Sequence, residues 1–160
     1  MENIKKLIKE IPNFPIEGIS FKDISGVLSS DEFKRTIEIM GSLVEKPDYW
    51  VGIESRGFIF ASALSIMFGG NLLLCRKGGK LPPPVVSAKY QKEYGEDILE
   101  VKKGSGTVII VDDVLATGGT ITVTEELLKN AGYNVIDKLV FINLKNLNNN
   151  LSVKSVITYE

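Results

Sequence analysis

The sequence predicts an α/β fold, a mostly parallel twisted sheet with helices on both faces. Two observations carry that expectation. From residue 49 onward, short apolar runs with strand character alternate with helix-like segments, the order that strand–helix units impose. The stretch Thr107–Val111 is a continuous apolar run, as a strand buried on both sides of a parallel sheet should be. With 160 residues and no internal repeat, the chain reads as a single domain over 1–160, long enough to bury a core.

The elements follow in order. Ile4, Leu7, Ile8 and Ile11 recur at helical spacing, and Pro12 closes that segment. Phe14-Pro15 to Gly18-Ile19 reads as a shaped connection. Ser30 or Asp31 is placed to cap the next helix, with Phe33, Ile37, Met40 and Val44 on its inner face and Pro47-Asp48 beyond its end. Tyr49–Ile53 is a strand, and Gly57–Phe68 a helix apolar nearly all round, hence buried. Leu72–Cys75 is the next strand. The segment Arg76–Gly95 carries Gly78-Gly79 and Pro82-Pro83-Pro84 and reads as a long loop, of a length that in a compact domain usually serves a function. Ile98–Val101 pairs locally. A helix from about Thr117 to Asn130 follows the Thr107–Val111 strand. Strands Val135–Ile142 and Val153–Thr158 close the chain, with a polar loop at Asn146 and Asn148–Asn150 between them.

Composition narrows the chemistry. The chain has no histidine, which removes Ser-His-Asp and Cys-His catalysis and the helical His pair of zinc proteases. Proton transfer falls to a carboxylate, a lysine, a tyrosine or water. Cys75 is the single cysteine, so no intrachain disulfide forms, and its apolar neighbours make it a buried strand residue. The net charge is -1 without a long run of one sign, which favours neither nucleic acid nor an anionic membrane as partner. Residues Gly57–Cys75 carry one charge-free stretch, but Gly69-Gly70-Asn71 interrupts it short of the ~20 apolar residues of a membrane span. The N-terminus has no apolar signal-peptide core, and a cytoplasmic protein is expected.

The most informative stretch is Val108–Thr120. A buried strand ends in two adjacent acids, Asp112 and Asp113, and four residues later Thr117-Gly118-Gly119-Thr120 opens a helix. Gly118 and Gly119 let the backbone turn several N–H groups onto one anion. The helix N-terminus adds partial positive charge, and Thr117 and Thr120 add hydroxyl donors. That is a seat for a phosphate monoester, while the acids can accept hydrogen bonds from the hydroxyls of a ribose. The glycine spacing fits neither a Walker A loop nor a dinucleotide fingerprint.

This stretch resembles the phosphoribosyl pyrophosphate motif of the type I phosphoribosyltransferases, and its Ala116-Thr117-Gly118-Gly119-Thr120 ending resembles the adenine-specific members. The likeness extends over nearly the whole chain. Phe14–Ile24 resembles the family's small N-terminal hood, which implies that Ile19, Phe21 and Lys22 lie near the base, partly through backbone groups. Glu54-Ser55-Arg56-Gly57-Phe58 resembles the pyrophosphate loop, which implies Arg56 as a ligand of the leaving group and a non-proline cis peptide nearby. Arg76–Pro82 resembles the start of the family's long flexible catalytic loop, with Arg76 and Lys80 reaching the pyrophosphate. Tyr90–Gly95 resembles its far end. There Glu93 matches the glutamate assigned acid/base or charge-stabilising work, and Tyr94 the tyrosine that closes over the site.

The resemblance therefore implies transfer of 5-phosphoribosyl from phosphoribosyl pyrophosphate to adenine, giving AMP and pyrophosphate. It implies Mg²⁺ held mainly by substrate and water rather than by direct protein ligands, and a homodimer. Two alternatives stand beside it: an enzyme of the same fold acting on a 6-oxopurine or orotate, and a regulator that binds phosphoribosyl pyrophosphate without catalysis. The sequence departs from the family at Lys92, where a leucine is usual, at the triple proline, and at Asn143–Asn150, where a glutamate and a Gly-Arg pair are usual. These departures are expected to leave the phosphate seat untouched.

Overall fold

The computed structural model describes residues 1–92 and 95–160. Helix α1 (Glu2–Lys6) leads into β1 (Lys9–Ile11), which pairs antiparallel with β2 (Phe21–Asp23) in a separate two-stranded sheet. A short α2 (Ser25–Leu28) and α3 (Glu32–Ser42) follow. Then come β3 (Tyr49–Ile53), α4 (Gly57–Phe68), β4 (Asn71–Lys77), β5 (Val86–Lys92), β6 (Gly95–Val101), β7 (Gly106–Leu115) and α5 (Gly119–Asn130). Strand β8 (Tyr133–Leu144), a 3-10 turn (Lys145–Leu147) and β9 (Lys154–Tyr159) end the chain.

The large sheet has the order β5-β6-β4-β3-β7-β8-β9. Strands β4, β3, β7, β8 and β9 run parallel, and β6 and β5 extend the β4 edge antiparallel. Alternation along β7 divides the core. Ile109 and Val111 join Trp50, Phe60, Leu64 and Phe141 beneath α3 and α4, whereas Val108 and Ile110 join Val51, Cys75, Leu127 and Leu128 beneath α5. Helices therefore cover both faces, as the strand–helix alternation predicts. The carboxyl ends of the parallel strands point at the loops after β3, β4 and β7, where ligands of open α/β sheets bind. Among the described residues no helix is long and apolar enough to cross a membrane.

Three expectations need correction. The helical spacing of residues 4–11 holds only through Lys6, because a helix this short has little intrinsic stability and β2 offers Lys9–Ile11 a partner for its backbone groups. Arg76–Gly95 is not one long loop: Arg76 and Lys77 continue β4, and residues 86–92 pair with 95–101 in a hairpin. The loop proper shrinks to the Gly78–Val85 connection, which includes a cis Pro83–Pro84 bond. Finally, β7 does not end at the paired acids but runs on to Leu115, pairing through that residue with Asn143 of β8.

Candidate active site

The strand β7 carries the two acids to the sheet's carboxyl edge. Asp112 borders a cavity of about 100 Å³ together with Ala116, Thr117, Gly118, Gly119 and Thr120. Gly118 is the residue before α5 and has φ of 92°, a left-handed conformation in which a side chain is strained. A Cβ there would also lie 2.1 Å from Leu151 Cδ1, so the Leu151 side chain would have to move aside as well. The first N–H groups of α5 have no intrahelical acceptor, and they face the turn where an anion would sit.

Asp113 is directed to the α4 side and is 5% exposed. Arg56 Nε lies 2.8 Å from its Oδ2, yet that oxygen has no well-aligned hydrogen-bond donor among the described residues. The contact is an ion pair across a misaligned N–H, leaving a buried acceptor free for a ligand hydroxyl. Burial, and then the charge of Asp113, push the Asp112 carboxyl well above the usual carboxylate range. The Asp113 N–H donates to Asp112 Oδ1 at 2.9 Å, which limits that rise.

Arg56 connects three parts of the site. It stands at the start of α4, immediately after a cis Glu54–Ser55 peptide, and its guanidinium lies 4.8 Å from the Phe21 ring in the hood. Gly57 lets the start of α4 lie directly against β7, since a Cβ there would meet the Val111 carbonyl oxygen at 2.8 Å. The hood contributes a second cavity of about 410 Å³, lined by Ile11, Phe14, Phe21, Asp23 and Ser25, with Phe14 and Phe21 edge to face at 5.2 Å.

The side of the site after β3 and β4 is organised by Glu54. Its carboxylate accepts from Arg76 Nε at 3.1 Å, from the Lys77 N–H at 3.2 Å and from Lys80 Nζ at 2.5 Å. Burial by itself raises the Glu54 pKa, but Lys80, the Lys77 amide and Arg76 outweigh it and bring the value down to about 2. Farther along, Glu100 accepts from the Gly79 N–H at 2.8 Å and from Ser87 Oγ at 3.0 Å. Lys102 Nζ donates to the carbonyls of Pro82 and Pro84. The proline segment is thereby tethered at both ends.

A family model described as the phosphoribosyl transferase domain matches residues 33–154. The chain belongs to the phosphoribosyltransferase family. Among its relatives, adenine phosphoribosyltransferase of Hydrogenovibrio crunogenus is 42% identical, the match covering 98% of this chain and 96% of that one. The crystal structure of adenine phosphoribosyltransferase from Thermoanaerobacter pseudethanolicus superposes with a TM-score of 0.91 at 37% identity, over 99% of both chains. The Saccharomyces cerevisiae adenine phosphoribosyltransferase, solved with an imino-altritol bisphosphate and adenine, gives 0.85 at 31% identity, over 98% of this chain and 96% of that one.

Within this phosphoribosyltransferase the site residues named from sequence fall into three groups. Arg56, Phe21, Asp112, Asp113 and the turn 116–120 come together at the sheet's carboxyl edge. Arg76 and Lys80 are gathered on Glu54. Ile19 is 45% exposed and does not line the Phe14–Phe21 cavity. The Lys22 side chain turns the other way, 3.4 Å from Glu10 and 4.2 Å from the Tyr159 ring. Glu93 and Tyr94 lie outside the described residues.

Three contributors were missed. The sequence reading gives Glu54 no role, although an acid two residues before Arg56, just past the end of β3, is a visible signal. Phe14 falls in the stretch expected to form the hood but without a contact role, and it lines the cavity edge to face with Phe21. Asn148 was assigned to a polar loop remote from the seat, but its Nδ2 lies 3.1 Å from the Ala116 carbonyl oxygen, so the departure at Asn143–Asn150 does reach the phosphate turn.

Proposed function

We propose that this chain transfers the 5-phosphoribosyl group from phosphoribosyl pyrophosphate to adenine, giving AMP and pyrophosphate in purine salvage. The observation that carries the reading is the juxtaposition at one sheet edge of the glycine turn 116–120 and of the ion pair of buried Asp113 with Arg56 under an aromatic hood. The turn suits the 5-phosphate, since backbone donors at a helix start need no counter-charge. Asp112 and Asp113 suit the ribose hydroxyls. Phe21 and Phe14 suit a flat purine, which gains contact area against a ring without demanding a charged partner.

The base nitrogen attacks the anomeric carbon as the bond to pyrophosphate breaks, and positive charge grows on the sugar while negative charge grows on the leaving group. Arg56, Arg76 and Lys80 are the cations available to that negative charge. Lys80 and Arg76 must exchange Glu54 for pyrophosphate, an exchange of one anion for another. The paired acids are hard oxygen donors and suit Mg²⁺ held through the substrate's hydroxyls or water. When bound with substrate, Mg²⁺ neutralises charge on the diphosphate. Glu93 is assigned the proton on the purine, with Tyr94 closing over the site.

A homodimer in the cytoplasm completes the proposal. An exposed apolar groove of about 880 Å³ between α3 and α4, lined by Phe33, Ile59, Ile66 and Met67, supports it as a face for a second copy. Sedimentation at micromolar concentration checks this, and a monomer there removes it.

Pyrophosphate release from phosphoribosyl pyrophosphate with adenine, hypoxanthine, guanine and orotate in parallel tests the activity. Turnover with adenine alone is expected. Preference for another base would transfer the chain to a different specificity, and release with none would leave a binding protein. Glu93→Ala is expected to lower kcat by about a hundredfold with little change in affinity for phosphoribosyl pyrophosphate, measured by pre-steady-state kinetics and titration.

A further inference from the structure

We propose that Asn148 is a positioning residue for the phosphate turn, holding the Ala116–Thr117 peptide in the orientation that aims its N–H at the phosphate. The assignment rests on the reading above that residues 116–120 receive the 5-phosphate.

Asn148 follows the 3-10 turn after β8, and its carboxamide lies behind the turn. Its Nδ2 is 3.1 Å from the Ala116 carbonyl oxygen, 3.0 Å from the Leu144 carbonyl oxygen and 3.1 Å from Asn143 Oδ1. Two of these neighbours are carbonyls that can only accept. The amide orientation is therefore set by chemistry, because the flipped form would place oxygen against oxygen. Two amide hydrogens serve three acceptors, so one is shared.

The consequence follows from peptide geometry. Ala116–Thr117 is a trans peptide, since it is not among the cis bonds of the chain. In a trans peptide the C=O and the N–H of the next residue point in opposite directions in one plane. Pinning the Ala116 oxygen to Asn148 on the rear of the turn therefore turns the Thr117 N–H forward into the cavity that Asp112 and Gly119 line. Leu151, three residues on, presses on Gly118 from the same rear side. The β8–β9 connection is thus a prop under the phosphate turn. Its Ala116 contact is made by a side chain with no charge, so it adds no repulsion to the bound phosphate.

Asn148→Asp is nearly isosteric, removes the donor and sets a negative charge behind the turn. Asn148→Ala removes the donor alone. Binding of ribose 5-phosphate is measured by titration calorimetry, alongside KM for phosphoribosyl pyrophosphate, KM for adenine, kcat and thermal midpoint. The expected result is a Kd for ribose 5-phosphate raised about fivefold in Asn148→Ala, the equivalent of one hydrogen bond of ~1 kcal/mol, and raised further in Asn148→Asp. The KM for phosphoribosyl pyrophosphate should rise in step, with kcat and the KM for adenine within about twofold of wild type.

Unchanged ribose 5-phosphate affinity in both folded variants would overturn the proposal. So would parallel losses in adenine KM and thermal midpoint, or failure of both variants to fold, since each describes a structural residue only. A wild type that binds ribose 5-phosphate but leaves adenine untouched would sink the adenine reading while leaving this test valid. A wild type that binds none would overturn the phosphate seat and this proposal together.

Discussion

The two ends of the proposed site are suited to anions by opposite means. On the β7–α5 side the donors are backbone N–H groups and short hydroxyls, fixed by a strand end buried on both faces and by a glycine in a left-handed conformation that strains any side chain. On the β4–β6 side the donors are long basic side chains, Arg76 and Lys80, gathered on one carboxylate and carried next to an antiparallel edge hairpin. The first arrangement is held by backbone geometry rather than by side-chain rotamers. The second is built from long side chains whose charged ends are partly exposed, so Arg76 and Lys80 can change rotamer and exchange one anion for another. A transferase needs both: an anchor for the phosphoribosyl group that remains, and an adaptable clamp for the pyrophosphate that leaves.

Arg56 pairs with Asp113 at the first end and stands two residues after Glu54 of the second, so its loss should produce the largest effect. Arg56→Ala is expected to lower kcat/KM for phosphoribosyl pyrophosphate by about a hundredfold or more, measured from initial rates at saturating adenine. A change below about tenfold (~1.4 kcal/mol) would mean that the two ends work independently.

Asp112 sharpens the contrast at the anchored end. A carboxyl whose folded pKa is raised contributes stability below its unfolded pKa and loses it as pH rises through the folded value. At neutral pH it is therefore a cost, and Asp112→Asn should raise the thermal midpoint by about 2–5 °C while weakening ribose 5-phosphate binding. Loss of both stability and binding would place Asp112 among the supports of the fold.

Glu54 makes the smallest and opposite prediction. Its folded pKa is depressed from 4.5 to about 2, so its contribution is present above 4.5 and is lost as pH falls through that interval. Glu54→Gln should cost about 1–2 kcal/mol at neutral pH after allowance for solvent around Arg76 and Lys80. The gap to wild type should close as denaturation is repeated at successively lower pH between those values. A gap independent of pH would show that packing, not charge, is what Glu54 supplies.

The same contrast explains what could be read without coordinates. The Val108–Thr120 stretch announced itself because a buried parallel strand is continuously apolar and a phosphate turn needs glycine, both local requirements. Helix α4 was legible from Gly57 to Phe68 for the same reason. The β5–β6 hairpin was not, because glycines and three prolines ahead of it signal loop, and its pairing partners are chosen by the β4 edge rather than by local pattern. Residues 9–11 misled because apolar spacing over eight residues fits a helix or a turn of helix followed by a strand. Asn148 was hidden most completely: in a run of asparagines, nothing local marks the one whose amide reaches 32 residues back to Ala116.

The most direct measurement is a crystal structure of the protein with AMP. The phosphate should sit against the N–H groups of residues 117–120, the ribose hydroxyls should reach Asp112 and Asp113, and the adenine should lie on Phe21. A phosphate held by Arg76 and Lys80 instead, or a ribose turned away from both acids, would contradict the account.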